Sequence, residues 1–272
     1  MEVITHSANF TQEEFNDWML RHVPEHLKPR IEAVLNRSDE ARQAEEDRTK
    51  LKQSEHMLEQ YRQRAHDNCG LRGDQWEDTW ETFRRAGTAE EKDSQTTALR
   101  EAHSRSEQFP DIQRGLMFVG RPGVGKDFFL HCIVRDVLEK TAVYDVRYFY
   151  SLNLEKLFKQ EWYGDGDNDV TDLEMCMRNC NILLLGDLHK ILHVKSEGIV
   201  NAMTRVLKQI CDEGHPKLFC SSMIPLRHGP VGQDGKRYDY ESLFGESIAS
   251  WLEGSVDEIT VFGPNRRNRA AA

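Results

Sequence analysis

The stretch Gly115-Leu116-Met117-Phe118-Val119-Gly120-Arg121-Pro122-Gly123-Val124-Gly125-Lys126-Asp127 decides the fold. Leu116 to Val119 reads as a short buried strand closed by Gly120. Gly120, Gly125 and Lys126 then fit G-x-x-x-x-G-K, the spacing of a phosphate-binding loop. Glycines in such a loop let the backbone fold back, so that its N–H groups point inward at phosphate oxygens. Lys126 has the reach for the outer phosphates of a bound nucleotide. The run 128–138 is apolar at helical spacing, and its N-terminus faces the same anion. Strand, loop, lysine and helix stand in the required order. One position departs: the motif ends in Ser or Thr, whose hydroxyl ligates Mg²⁺, and this chain has Asp127.

The 272 residues have room for one sizeable core and a smaller module. No apolar run reaches membrane-spanning length, and residues 1–20 carry acids rather than a basic segment followed by an apolar one. These features imply a cytoplasmic protein with no membrane partner. A net charge of −10 argues against a protein that coats nucleic acid, although a local basic patch is compatible with it. The six cysteines contain no C-x-x-C pair. Cys176 and Cys180 lie one helical turn apart without a matching His pair, which reads as reduced core thiols rather than zinc ligands.

Taken in order, Thr11-Gln12-Glu13-Glu14 forms a capping box flanked by Phe10 and Phe15. The helix after it carries Phe15, Trp18 and Met19 on one face. That face fits either packing on the next helix or docking to a partner. Residues 29–66 are rich in Glu, Arg, Gln and Lys, with no Gly after Pro29, and predict one long helix. Ala44, Leu51, Leu58 and Ala65 recur every seven residues, but the complementary heptad position holds Ala41, Arg48, Glu55 and Arg62. With a seam only half apolar, a solvated or partner-bound arm fits better than a self-paired coiled coil.

Cys69-Gly70-Leu71-Arg72-Gly73 breaks that helix. Trp76, Trp80 and Phe83 then repeat at i, i+4 and i+7, a spacing that would anchor the segment on the main domain. Thr88 to Glu91 is a second capping box, opening a helix over 89–107. Beyond the loop the pattern alternates. Strands are expected at 146–151, 181–188, 217–222 and 258–262, and helices from Asn153, from Thr171, over 198–212 and over 240–252. Alternating strands and helices imply an α/β fold, a parallel sheet covered by helices on both faces.

The chain from about Leu71 to Arg267 resembles the DnaC-type helicase loaders and the IstB-type transposition ATPases of the AAA+ class. Trp76 to Phe83 is similar to the aromatic segment ahead of their ATPase core. Ile182-Leu183-Leu184-Leu185-Gly186-Asp187-Leu188 resembles their apolar strand ending in two acids. Leu218-Phe219-Cys220-Ser221-Ser222-Met223 resembles their sensor strand, which usually ends Thr-Ser-Asn. Gly245-Glu246-Ser247-Ile248-Ala249-Ser250-Trp251-Leu252 resembles Gly-Glu-Arg-x-x-Ser-Arg-Leu, and Gly263-Pro264-Asn265-Arg266-Arg267 resembles a closing Gly-x-x-x-Arg. The resemblance implies a P-loop AAA+ core over 71–272 with an N-terminal helical, partner-binding arm over 1–70. It implies binding of ATP or ADP by Gly120, Arg121, Pro122, Gly123, Val124, Gly125, Lys126, Asp127, Phe128 and Arg267. Mg²⁺ would fall to Asp127 and Asp187, with Asp187 also as the catalytic acid. The implied partner is the replicative helicase or another replication protein.

Several parts of that chemistry are missing. Asp127 replaces the Mg²⁺ hydroxyl, Gly186 replaces the first acid, Met223 replaces the sensor Asn, and Ser247 and Trp251 replace both arginines. A trans arginine is worth ~10³–10⁵ in turnover in related systems, so hydrolysis is expected to be weak or absent. Either Asp127 adds back the carboxylate that Gly186 lacks, or the site is decayed. An unneutralised Asp127 about 4 Å from a phosphate would cost about 4 kcal/mol at an effective dielectric near 20. The readings carried forward are an ATP-binding adaptor of the helicase-loader kind, a pseudo-ATPase interaction scaffold, and an IstB-like transposition ATPase. A homo-oligomer is compatible with all three. So is weak single-stranded DNA contact through Lys190, Lys195, Arg266, Arg267 and Arg269.

Overall fold

The computed structural model describes residues 20–21, 24–140, 144–162, 172–192, 194, 196–232 and 235–266. The capping box at Thr11, the aromatics Phe10, Phe15 and Trp18, Met19, the helix start at Thr171, and Lys195, Arg267 and Arg269 lie outside them. By compactness the chain divides into Met1–Glu59 and Gln60–Ala272.

In the first unit a 3₁₀ turn, Glu25–Leu27, leads into helix α1, Lys28–Asn68, which runs on into the second unit. Its polarity is satisfied along its own surface. Gln43 donates to Asp47 (3.0 Å), and Lys50 pairs with Asp47 (4.0 Å). Ala44 and Leu51 of the heptad series are exposed.

The second unit holds a five-stranded, all-parallel sheet. Its strands are β1 (Gly115–Val119), β2 (Val146–Tyr150), β3 (Ile182–Gly186), β4 (Lys217–Ser222) and β5 (Val256–Thr260). The order across the sheet is β2-β3-β4-β1-β5. β1 and β3 are buried at every residue, which is why they read as unbroken apolar runs. Side chains alternate between two cores. Leu116, Phe118, Ile182, Leu184 and Phe219 face one, and Met117, Val119, Leu183, Leu185, Leu218 and Cys220 face the other. The first core is closed by helices α2 (Ala89–Gln108) and α3 (Lys126–Lys140), which contribute Ala98, Ala102, Phe129, Ile133 and Val137. The second is closed by α4 (Ser151–Trp162), α5 (Asp172–Asn179), α6 (Leu188–Leu192), α7 (Glu197–Glu213), α8 (Tyr240–Phe244) and α9 (Glu246–Ser255). α7 gives Ile199, Met203, Val206 and Ile210 to it, and α9 gives Ile248 and Leu252.

The expected α/β fold is therefore the observed one, with local differences. Helix α4 begins at Ser151, directly after β2, so Asn153 lies inside the helix and caps nothing. The reason is long-range: the Ser151 hydroxyl is held by the carbonyls of Gly186 and Asp187. The helix expected over 240–252 is two, parted at Gly245. The last strand ends at Thr260 because Phe262 is fastened to α2, its N–H donating to Ser94 Oγ (3.0 Å). The Thr88 capping box is present, with Glu91 Oε2 accepting from Thr88 N at 2.7 Å.

The segment ahead of the sheet is fastened as the aromatic spacing predicts. Phe83 is buried between Phe128 and Phe129 (centroids 5.0 and 4.9 Å), Trp80 meets His103 edge-on (5.2 Å), and His66 stacks on Trp76 (3.7 Å). Cys69 also covers the open edge of β2, where its carbonyl accepts from Tyr148 N at 2.6 Å. The approach requires Gly70, because φ is +89° and a Cβ there would lie 2.1 Å from the Tyr148 carbonyl oxygen. Gly70→Ala is expected to cost more than about 2 kcal/mol in the denaturant midpoint. A loss under about 0.5 kcal/mol would show that this segment is not held against β2.

Candidate functional site

The loop after β1 emerges at the carboxyl ends of the strands, where open α/β sheets place their ligands. It folds as the motif predicts. Gly125 adopts φ +104°, and a Cβ on it would sit 3.2 Å from the Phe83 ring. Lys126 is buried, and its ammonium donates to the carbonyls of Gly120 (2.8 Å) and Arg121 (3.0 Å), so it is stored on the loop that it serves. The N-terminus of α3 opens onto the same place.

The loop is braced from the far end of the chain. Arg266 N donates to the Gly123 carbonyl (2.9 Å), and its guanidinium lies over Phe83 (4.2 Å) and donates to Gln95 Oε1 (2.9 Å). Gln95 is fully buried. Its amide also accepts from Ala86 N (3.0 Å) and donates to the carbonyls of Ala86 and Phe262 (2.8 Å each). One side chain of α2 thus ties the entering segment, the exit from β5 and the loop arginine together.

Lys126, Asp127, Phe128, Asp187, Lys190 and Arg266 share a cleft of about 760 Å³, with Pro122, Gly123 and Gly125 along its wall. A larger cleft of about 880 Å³ lies beside it and holds Arg121, Val124 and Met223, but none of Lys126, Asp127 and Asp187. The smaller cleft is the one with the chemistry. Gly120 borders the larger cleft only, as the strand-to-loop pivot. Ser247 is exposed on α9, and Trp251 is half-buried against the second core.

The acids are not free carboxylates. Ser221, at the end of β4, donates its hydroxyl to Asp127 Oδ1 (2.6 Å) and accepts from Asp187 N (2.8 Å). Asp187 sits at φ +56°, and its carboxylate accepts from Tyr150 OH (3.0 Å) and from the Lys190 ammonium. Burial alone would raise the Asp187 pKa, but the bonds from Lys190 and Tyr150 outweigh it and hold it below the usual range. Lys190 is the mirror case: burial opposes its charge, and Asp187 more than restores it, raising its pKa. Deeper in the cleft, Asp78 pairs with His131 Nδ1 (2.7 Å), and His131 Nε2 faces Tyr148 OH (3.3 Å). Burial, and then Asp127, push the Tyr148 phenol pKa up, so its hydroxyl keeps its proton.

The place of the absent first acid is closed. A Cβ on Gly186 would stand 2.9 Å from the Tyr150 ring and 3.0 Å from Tyr148 OH. Asp127 and Asp187, the expected metal ligands, are held by different partners. Among the described residues no three His, Cys, Asp or Glu side chains group as a metal site. Sequence reasoning missed Ser221, Tyr148, Tyr150 and His131. Lys190 and Arg266, named from the sequence as candidate DNA contacts, line this cleft.

With this geometry in place, the comparisons are informative. Residues 116–222, from β1 to the end of β4, match the family of ATPases associated with various cellular activities (AAA). The likeness to solved structures extends this match to the fold of the whole core. The AAA+ core superposes on the crystal structure of the DnaC helicase loader with a TM-score of 0.55 at 20% identity, over 70% of this chain and 100% of that one. For DnaI the values are 0.52, 17%, 73% and 95%. For the replication initiator DnaA bound to AMPPCP and single-stranded DNA they are 0.50, 15%, 70% and 51%, so this chain covers about half of that protein. No curated protein matches at the sequence level. No helix of the described residues is long and apolar enough to cross a membrane.

Gly186→Asp is expected to destabilise the AAA+ core by about 1–3 kcal/mol, because a carboxylate must displace packed tyrosine rings. Gly186→Asp with Tyr150→Ala should recover part of that loss. Equal stability of wild type and Gly186→Asp in denaturant melts would show that the space is not closed.

Proposed function

We propose that this protein is an adenine-nucleotide-binding adaptor of the helicase-loader kind, acting in DNA replication with little or no hydrolysis. One observation carries the reading: an intact phosphate loop, with Lys126 poised and braced by Arg266 and Gln95, at the strand ends of a loader-type AAA+ core. The DnaA structure with AMPPCP supports ATP or ADP as the ligand class. Low turnover follows from the wall opposite the loop. Asp187, which would position an attacking water, is occupied by Lys190 and Tyr150, and the sensor position is the half-exposed Met223.

The partner module in this reading is the arm, residues 1 to about 70, and the partner is a replicative helicase or another replication protein. Support comes from the described side chains of α1 at 43–45, 47–57 and 59, which are exposed and mostly polar and include Leu51 and Met57. DNA contact, if the adaptor makes any, is weak. Contact that neutralises several phosphates would weaken steeply with salt, and a flat salt response would count against DNA contact.

Lys126→Ala should weaken ATP and ADP binding by at least about tenfold, since it removes the ammonium that the loop holds for the phosphates. Phosphate release by the wild type should stay near the uncatalysed background. Robust turnover would overturn the adaptor reading, and absence of nucleotide binding in the wild type would leave a pure interaction scaffold. Removing residues 1–59 should leave a folded core that still binds nucleotide but no longer captures its partner. An unfolded product would show that the arm is structural.

A further inference from the structure

The AAA+ fold implies Mg²⁺ beside the nucleotide, yet the donors present do not suit it. Mg²⁺ requires near-ideal octahedral oxygen coordination and usually draws on carboxylates free to turn toward it. Asp187 Oδ2 is taken by Lys190 and Tyr150, and Asp127 Oδ1 is taken by Ser221. The position of the missing acid, Gly186, is filled by the Tyr148 hydroxyl and the Tyr150 ring. One oxygen of each carboxylate that would recruit the ion is already engaged by the protein.

The same wall carries a replacement charge. Lys190 stands one helical turn after Asp187, where its ammonium reaches the Asp187 carboxylate and Tyr150 OH (3.4 Å) and packs over the Tyr150 ring (5.6 Å). An ammonium has three donor protons, and these two partners take up two. Lys190 lines the same cleft as Lys126 and Arg266. With it, three fixed cations border the cleft beside the carboxylates Asp127, Asp187, Asp74 and Asp78, the last of these against His131.

We propose that the nucleotide enters this cleft without a divalent metal, Lys190 supplying in cis the positive charge that Mg²⁺ supplies elsewhere in the fold. The inference rests on the nucleotide-binding reading above and names its cation requirement. Lys190 then contacts the outer phosphates from the strand-end wall while Lys126 contacts them from the loop. The Ser221 bridge keeps Asp127 turned to β4 and away from the anion. Metal-free binding also accords with slow hydrolysis, since no ion is held to neutralise the leaving phosphates.

The test is titration of the full chain with a fluorescent ATP analogue, once in excess Mg²⁺ and once in excess EDTA. Wild-type affinity should agree within about threefold between the two buffers. Lys190→Gln should lose at least about tenfold in EDTA. It should also gain affinity when Mg²⁺ is restored, because Asp187 is released as a ligand. Lys190→Arg, which keeps the charge, should retain metal-free binding, and a folded circular-dichroism spectrum for each variant excludes general damage. Wild-type binding seen only with Mg²⁺ overturns this inference and leaves the nucleotide reading standing. Binding absent from both buffers overturns both. Unchanged metal-free affinity in Lys190→Gln overturns the role given to Lys190.

Discussion

Burial of β1 on both faces is the constraint from which the rest of this core follows. A strand hidden on both sides must hydrogen-bond on both edges, since an unpaired buried amide costs about 1–3 kcal/mol. β1 meets this by pairing with β4 and β5 in register, Val119 opposite Ser222 and Thr260. Parallel pairing then brings the carboxyl ends of β1, β3 and β4 to one rim. The phosphate loop, Asp187 and Ser221 become neighbours although up to about a hundred residues of chain separate them. The helices that hide the two faces fix the loop: α3 continues from it, and α2 grips it through Gln95 and Arg266.

At that rim the electrostatics are resolved within the protein. A buried carboxylate is tolerated only when it is paired and hydrogen-bonded. Asp187 has a cation, a phenol and its own N–H engaged; Asp127 has the Ser221 hydroxyl; Asp78 has His131. A fold that relies on an incoming ion leaves its acids unpaired in the resting state. Here Asp187 is paired with a cation, and Asp127 and Asp78 are hydrogen-bonded within the protein, so the surface is preorganised before any ligand arrives.

Much of this was legible in the sequence where the signal is local. The strand-loop-lysine-helix run, the unbroken apolar strands, the Thr88 box and the Trp76, Trp80 and Phe83 spacing each depend on residues within a few turns of one another. All four stand in the structure. The misses have a common cause. Asn153 was outcompeted as a helix start by Ser151, whose partners, Gly186 and Asp187, lie some 35 positions away. Ser221, Tyr148 and His131 act through contacts across the sheet, invisible to periodicity. Two signals were available. Lys190 follows Asp187 at helical i+3 spacing, and Ser221-Ser222 is a polar pair closing an otherwise apolar strand, which marks a strand end facing a site rather than a core.

Two of the departures from the AAA+ pattern, Gly186 and Asp127, belong to one connected arrangement. The Tyr148 hydroxyl and the Tyr150 ring fill the space that a side chain at Gly186 would need. Tyr150 in turn helps hold Asp187 and meets Lys190. A carboxylate at position 127 would be stranded beside a phosphate, but Ser221 from the sensor strand bonds it and also bonds the Asp187 backbone. Random decay of a catalytic site leaves buried polar atoms without partners, because each lost group orphans another. Here each named acid retains partners, so the wall is internally consistent.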